Sequence, residues 1–366
     1  MNTLPSEITS LILIFLPMKY ILQFRCVCKA WLLIIDSLNF AETHLSIAIK
    51  DSSTLIFFPI LQHQIYIAKA DETSQIIKAR KVELSCTQTR LYLFASYNGL
   101  LCLSSRLYKR SEEMGCFTYV CNPCTRVSVC LPCFNSTECG KAFLVSGFGL
   151  DPLSNNYKVV QVFSQIYGNC YDRQEVQVYT LGSNSWRNLG YAPDFQFIFG
   201  LTAFVSGSCH WLAKDGVGSR IIVSFDLGRE VFGVIPSPEF SFHSESDCVS
   251  FRIAKLGGCL SVADCSFEDH IEIWILKEYD EKESWIKHFV MKGEGMLWNI
   301  KCYPITIWMN SDILLMCDCE KLFSYNIVSG KSTPLKVDGL HEHPPEQGTL
   351  PYCFGVFSYV ETLIPL

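Results

Sequence analysis

The sequence predicts an α+β multidomain chain: an N-terminal three-helix unit over residues 1–44, then an all-β propeller-like domain of about six blades over residues 45–366. Three observations carry this expectation. Apolar residues at helical spacing are confined to the first 44 positions. From Leu45 onward the chain turns to short runs rich in Val, Ile, Phe and Tyr, separated by Gly, Asn, Asp, Ser and Pro. Within that second part a turn motif recurs about every 50 residues, the spacing of one propeller blade.

Size and composition bound the function. A chain of 366 residues that is 49% hydrophobic and 18% charged buries a sizeable core. Its net charge of −6 and pI near 5.8 argue against nucleic acid or an anionic membrane as partner, and suit a basic protein partner. The apolar stretch from Leu11 to Leu22 follows Glu7 with no Lys or Arg before it, is broken by Pro17 and Lys19, and is too short for a bilayer. The expectation is a soluble chain of the cytoplasm, and of the nucleus as well. Nineteen cysteines, an odd number, without a secretory leader point to reduced thiols serving as small core residues.

The helical unit is dense in helix signals. Pro5 suits a helix start, where a missing N–H costs nothing; Ser6 suits a cap, and Glu7 favours the positive end of the helix. Pro17 stops the first helix. A third helix is expected to carry Phe24, Val27, Cys28, Trp31 and Ile35 on one side. The first helix is apolar nearly all the way round, through Ile8, Leu11, Ile12, Leu13, Ile14, Phe15 and Leu16. Such a helix must be covered on every side. A unit of about 40 residues cannot supply that cover alone, so it comes from the rest of the chain or from another protein.

These residues resemble an F-box. Leu4, Pro5, Ile8, Ile12, Leu13, Leu16, Pro17, Lys19, Leu22, Phe24, Arg25, Val27, Cys28, Lys29 and Trp31 fall in register with that family's pattern without a gap. The resemblance implies docking on the Skp-type adaptor of a cullin-RING ubiquitin ligase. It places the adaptor contact on Leu4, Pro5, Ile8, Ile12, Leu13, Leu16, Pro17, Leu22, Cys28 and Trp31. Leu11, Ile14 and Phe15 depart from the pattern, standing where polar residues are common; they pack on the downstream domain or alter the adaptor contact.

In the second part each repeat opens with a turn and a buried strand, as in Asn98-Gly99-Leu100-Leu101, Gly207-Ser208-Cys209-His210-Trp211 and Gly257-Gly258-Cys259-Leu260. Each closes with strand, polar turn and strand, at 120–127, 178–186, 224–231, 274–285 and 324–332. Five blades fit between about 93 and 337. The remainder, strands near 45–50, 55–58 and 64–68 and a final strand within 351–363, forms a sixth if the final strand completes the first blade and closes the ring. The stretches Phe148–Val160, Val178–Arg187 and Ile273–Trp285 resemble the plant F-box-associated domain, a kelch-like propeller. Within that group the chain is similar to the S-locus F-box branch, whose members recognise style ribonucleases in self-incompatibility. The resemblance implies a non-catalytic substrate receptor that holds the ligase through the F-box and a target protein, a secreted ribonuclease in that branch, through the β domain.

Other constellations are weaker. Cys121, Cys124, Cys130 and Cys133 have the pairwise spacing of a zinc site, but hairpin alternation would scatter their side chains, so core cysteines are expected. His341 and His343 sit in a Pro-rich loop, and His210 in a repeat strand suits a packed, hydrogen-bonded role. The sequence contains no nucleophile elbow, phosphate loop, dinucleotide fingerprint or zincin motif; neither metal nor cofactor is expected. Charged loops at 106–115, 165–175, 237–247 and 338–349 should share one propeller face, with Glu239, Glu245 and Asp247 as target-binding residues. The alternative is a propeller enzyme or small-molecule sensor with a helical adaptor, marked by a deep polar pocket on the axis.

Overall fold

The computed structural model describes residues 4–366 apart from 51–52, 60–63, 71–75, 85–90, 105–116, 133–140, 168–169, 199–201, 239–250, 268, 280, 282, 293–301, 309–311, 319–320 and 341–353. Four helices open it: α1 (Ser6–Ile14), α2 (Met18–Phe24), α3 (Lys29–Ile35) and α4 (Leu38–Ala48). The fourth is one more than the sequence suggested, and it runs through residues 45–48, where a strand was expected. It is set by Ser37, whose hydroxyl accepts from the Phe40 N–H as an N-cap. Pro5, not Ser6, occupies the cap position of α1. The expected third helix is divided, because Phe24 ends α2 and Cys28 is extended ahead of α3. The two segments are tied by a bidentate pair from Arg25 to Asp36, with Nε to Oδ1 at 2.7 Å.

The strands form six blades. Blade two holds β4 (Tyr92–Tyr97), β5 (Leu100–Ser104), β6 (Thr118–Asn122) and β7 (Val127–Cys130). Blade three holds β8 (Lys141–Asp151), β9 (Asn156–Tyr167), β10 (Cys170–Thr180) and β11 (Arg187–Tyr191). In blade four the inner position is split between β12 (Gln196–Phe197) and β13 (Ala203–Val205), both on β14 (Ser208–Lys214), followed by β15 (Arg220–Asp226) and β16 (Val231–Ile235). Blade five runs β17 (Phe251–Leu256), β18 (Cys259–Asp264), β19 (Ile271–Leu276) and β20 (Trp285–Met291); blade six runs β21 (Cys302–Ile307), β22 (Ile313–Cys317), β23 (Lys321–Asn326) and β24 (Lys331–Asp338).

Blade one is assembled from both ends of the β region. β1 (Thr54–Pro59), β2 (Ile65–Lys69) and β3 (Ile76–Val82) are joined by β25 (Phe354–Ser358), which pairs antiparallel with β1 in the register Ile56↔Phe357. β24 also pairs in parallel with β3, so blades six and one make one eight-stranded sheet. Both open edges at this seam are thereby used.

Turn chemistry explains the repeat. The first-to-second-strand turns place consecutive residues at positive φ: Asn98 and Gly99, Ser206 and Gly207, Gly257 and Gly258. That is the two-residue turn whose twist matches a hairpin. In the third-to-fourth-strand turns, an Asx side chain accepts backbone N–H groups, as Asn122 does from Cys124, Asp226 from Gly228 and Asn326 from Ser329. Apolar clusters fill the seams between successive blades. Val160, Val178 and Trp211 lie between blades three and four, and Ile273, Ile313 and Leu315 between five and six.

The cysteines do not all match the expectation of free thiols. Cys302 and Cys317, direct cross-strand partners on β21 and β22, form a disulfide. Their Cα atoms are only 4.0 Å apart, the close approach of a non-hydrogen-bonded antiparallel pair. Cys102, Cys121 and Cys209 are free and buried, as core residues.

Candidate functional site

Alternation of strands gives the propeller two faces. Turns from first to second and third to fourth strands emerge on one, and connections from second to third and fourth to next first strands on the other. The helical unit packs on the first face, at the seam of blades two and three. Leu13, Ile14, Met18, Ile21, Ile35, Phe40 and Leu45 share one apolar cluster with Leu100, Val120, Phe148 and Val159. Leu363 and Ile364, from the chain beyond β25, complete it. Asn122 fixes that segment by donating from Nδ2 to the carbonyls of Thr362 (3.2 Å) and Ile364 (2.9 Å).

This packing divides α1 lengthwise. Leu13 and Ile14 are 1% and 6% exposed, and Thr9 is buried with them. The other side carries Ile8, Leu11, Ile12 and Phe15, spaced i, i+3, i+4 and i+7, at 45%, 63%, 54% and 73% exposure. Leu4, at 60%, lies just ahead of the helix. Five apolar side chains thus stand open along one line, an arrangement that marks a protein-contact surface.

Of the residues assigned from sequence to adaptor contact, Leu4, Pro5, Ile8, Ile12, Pro17 and Cys28 are exposed. Leu16, Leu22 and Trp31 are half-buried, with the Trp31 ring edge-on to Phe24 at 5.3 Å. Leu13 sits inside the helical core and supports this face from beneath. Leu11 and Phe15, for which the sequence left both the downstream domain and the adaptor open, stand on the exposed side with Ile8 and do not pack on the propeller. Ile14 is the residue among the departures that turns inward.

The strand ends that flank the four charged segments, of β5 and β6, β9 and β10, β16 and β17, and β24 and β25, belong by topology to the face opposite the helices; residues 106–115, 168–169, 239–247 and 341–349 lie outside the described residues. Glu239, Glu245 and Asp247 themselves lie outside the described residues, as do His341 and His343.

His210 and Lys158 are buried polar groups held by close partners. The His210 ring has Nδ1 3.1 Å from the Ala203 carbonyl and Nε2 2.7 Å from the Tyr279 hydroxyl. Burial outweighs its hydrogen bonding to the Ala203 and Ser208 backbone and lowers its pKa to about 4. Between blades three and four, Lys158 Nζ lies 2.8 Å from both Asp151 Oδ2 and Glu230 Oε1, and Arg187 also bonds Glu230. Burial alone would raise the Asp151 pKa; hydrogen bonds from Lys158, Ser154 and the Leu153 N–H overcome it and hold the carboxyl at about 2. Cys121 is buried, Cys124 approaches the Tyr359 hydroxyl at 3.4 Å, and Cys130 is exposed. These three thiols do not converge on a common centre; Cys133 lies outside the described residues.

The architecture is thus a four-helix unit with an open apolar stripe, seated on a six-bladed propeller. The F-box domain family matches residues 1–43, and the F-box associated beta propeller domain family matches residues 44–349. The chain belongs to the family of F-box proteins that carry this associated propeller. An F-box protein of Arabidopsis thaliana is 29% identical, covering 93% of this chain and 89% of its own length. F-box protein CPR1 of the same plant is 25% identical over 92% of this chain and 85% of its own length. An Arabidopsis F-box/kelch-repeat protein is 22% identical over 99% and 96%. Among the described residues no helix is long and apolar enough to cross a membrane.

Proposed function

We propose that this chain is the substrate-recognition subunit of an SCF-type (Skp–cullin–F-box) ubiquitin ligase, without catalytic residues of its own. The observation that carries the reading is the open stripe Leu4, Ile8, Leu11, Ile12 and Phe15 on the side of α1 turned from the propeller. A Skp-type adaptor supplies the cover that this helix lacks, and through it a cullin-RING ligase is recruited. The opposite propeller face then holds the target, and ubiquitin transfer follows from the raised local concentration of target lysines near the loaded enzyme.

The finer reading is that the target is a basic secreted ribonuclease of the style, as the S-locus resemblance implies. The chain's net charge of −6 is complementary to such a partner. Reversing Glu239, Glu245 and Asp247 to Lys is then expected to slow target association and flatten its salt dependence while leaving the adaptor complex intact. Wild-type association kinetics in that variant would remove these residues from recognition.

The adaptor reading is tested by co-purification with a Skp-type adaptor. Ile12→Asp places a charge in the proposed apolar contact, where unpaired burial costs several kcal/mol. It should abolish the complex and leave the chain folded. Leu13→Asp is unsuitable for this purpose, since it disrupts the helical core itself. Retention of the adaptor by Ile12→Asp would reject the assigned face.

A further inference from the structure

On the propeller axis the inner strands β4, β13, β17, β21 and β25 enclose a cavity of about 630 Å³, within the range of small-molecule sites. Much of its wall is apolar, including Ile305 and Val356. Two cations enter it from β17. Arg252 lies toward the face of the target loops, with its guanidinium over the Tyr303 ring at 5.3 Å. Lys255 lies toward the helical face, with Nζ 5.7 Å from the Tyr97 ring centroid. Three residues along the strand set their Cα atoms roughly 10 Å apart.

No carboxylate is present among the described residues that line this cavity. Several cations elsewhere in the molecule do have carboxylate partners. Lys158 has Asp151 and Glu230, Arg25 has Asp36, and Lys287 has Glu272. Lys255 has no ion pair among the described residues. Its side chain meets solvent in the cavity yet is surrounded by the walls, and this desolvation lowers its pKa with nothing to offset it. Aromatic faces hold the two cations in place, and a charge held in an apolar chamber without a counter-ion favours an anion that enters from solution.

We propose that the axial cavity binds a small elongated organic anion, with two carboxylate or phosphate groups on an apolar body, one end held by Arg252 and the other by Lys255. This site does not depend on the adaptor reading, because none of the α1 stripe residues lines it.

The test uses the full chain at constant ionic strength. Terephthalate serves as the dicarboxylate probe, pyrophosphate as the phosphate probe and neutral terephthalamide as the control, with affinity read by calorimetry. At least one anion should bind, and terephthalamide should not; the stronger anion identifies the preferred acidic group. A charged hydrogen-bond partner removed from such a site weakens binding about tenfold or more, which is the loss expected for Lys255→Met and for Arg252→Met. Lys255→Arg should retain binding, and Lys81→Met, on the exposed outer surface, should not change it. Ile12→Asp should bind the anion as the parent does, which separates this proposal from the adaptor reading. If Arg252→Met fails to fold, the Lys255→Met and Lys255→Arg pair decides. Absence of binding by both anions, equal binding of terephthalamide, or unchanged affinity in Lys255→Met would overturn the proposal.

Discussion

Trp186 Nε1 donates to the Pro132 carbonyl at 2.7 Å, tying the outer strand of blade three to the chain leaving blade two. Trp285 repeats the arrangement on Pro236 at 2.8 Å, between blades five and four. Neighbouring blades are thus fastened at the rim as well as through their apolar seams. Trp186→Phe preserves most of the ring's contact with Tyr179 but removes the donor. It should lower unfolding free energy by about 1 kcal/mol in a urea titration. The two clasps are remote from one another, so Trp186→Phe and Trp285→Phe should be additive.

Lys158 is predicted to be far less tolerant. Its side chain is 9% exposed between two carboxylates. Lys158→Met would leave Asp151 and Glu230 facing each other in a buried seam. Breaking one side of a buried ion pair costs roughly 3–5 kcal/mol. Thermal unfolding should show a large loss, partly restored by the compensating change Asp151→Asn. Wild-type melting in Lys158→Met would mean that the carboxylates find other partners.

His210 gives the stability a pH-dependent leg. Its folded pKa near 4 lies below the ordinary value of 6.5, so the unfolded chain takes up the proton first as pH falls. The folded state therefore loses stability from about pH 6.5 down to about pH 4 and gains nothing from this residue above that window. The depression corresponds to roughly 3 kcal/mol. Chemical denaturation at successive pH values should show the slope, and His210→Gln should flatten it between pH 6.5 and 4.

Removal of residues 354–366 is expected to have two separable effects. Loss of β25 leaves β1 unpaired on its inner edge, which invites association. Loss of Leu363 and Ile364 uncovers the helical unit. The shorter deletion of 361–366 should therefore loosen the helices while the ring stays closed, as read by hydrogen exchange on α4 and β1. Gly99→Ala tests the same contact by substitution. Gly99 has φ +77°, and a Cβ there would lie 2.2 Å from the Val360 carbonyl oxygen, so the variant should melt lower than the parent.

The blade architecture was legible because its signals are local. Asn98-Gly99, Gly257-Gly258 and the Asx turns at Asn122, Asp226 and Asn326 are each a few residues long, and their recurrence set the blade count. The pairing of β25 with β1 followed from the need to close the ring. The helical unit was read less completely. The Ser37 cap and the break after Phe24 are local features inside a largely apolar stretch. Apolar character alone also could not say which side of α1 would be covered; that is decided by Leu100, Phe148, Leu363 and Ile364, which lie far away in sequence. Cys302 and Cys317 were not distinguishable as a pair among nineteen cysteines until strand register put them opposite each other.

The shared cluster of helices, blades two and three, and residues 363–364 also orders events during synthesis. The helices leave the ribosome first, yet part of the surface they rest on is made more than 300 residues later. At about 5–20 residues per second this interval lasts tens of seconds. For that time the cover of the helices lacks Leu363 and Ile364, the outer stripe of α1 stays open, and β1 waits with an unpaired edge. A partner that takes the outer stripe early would shield that part of the apolar surface before the ring can close.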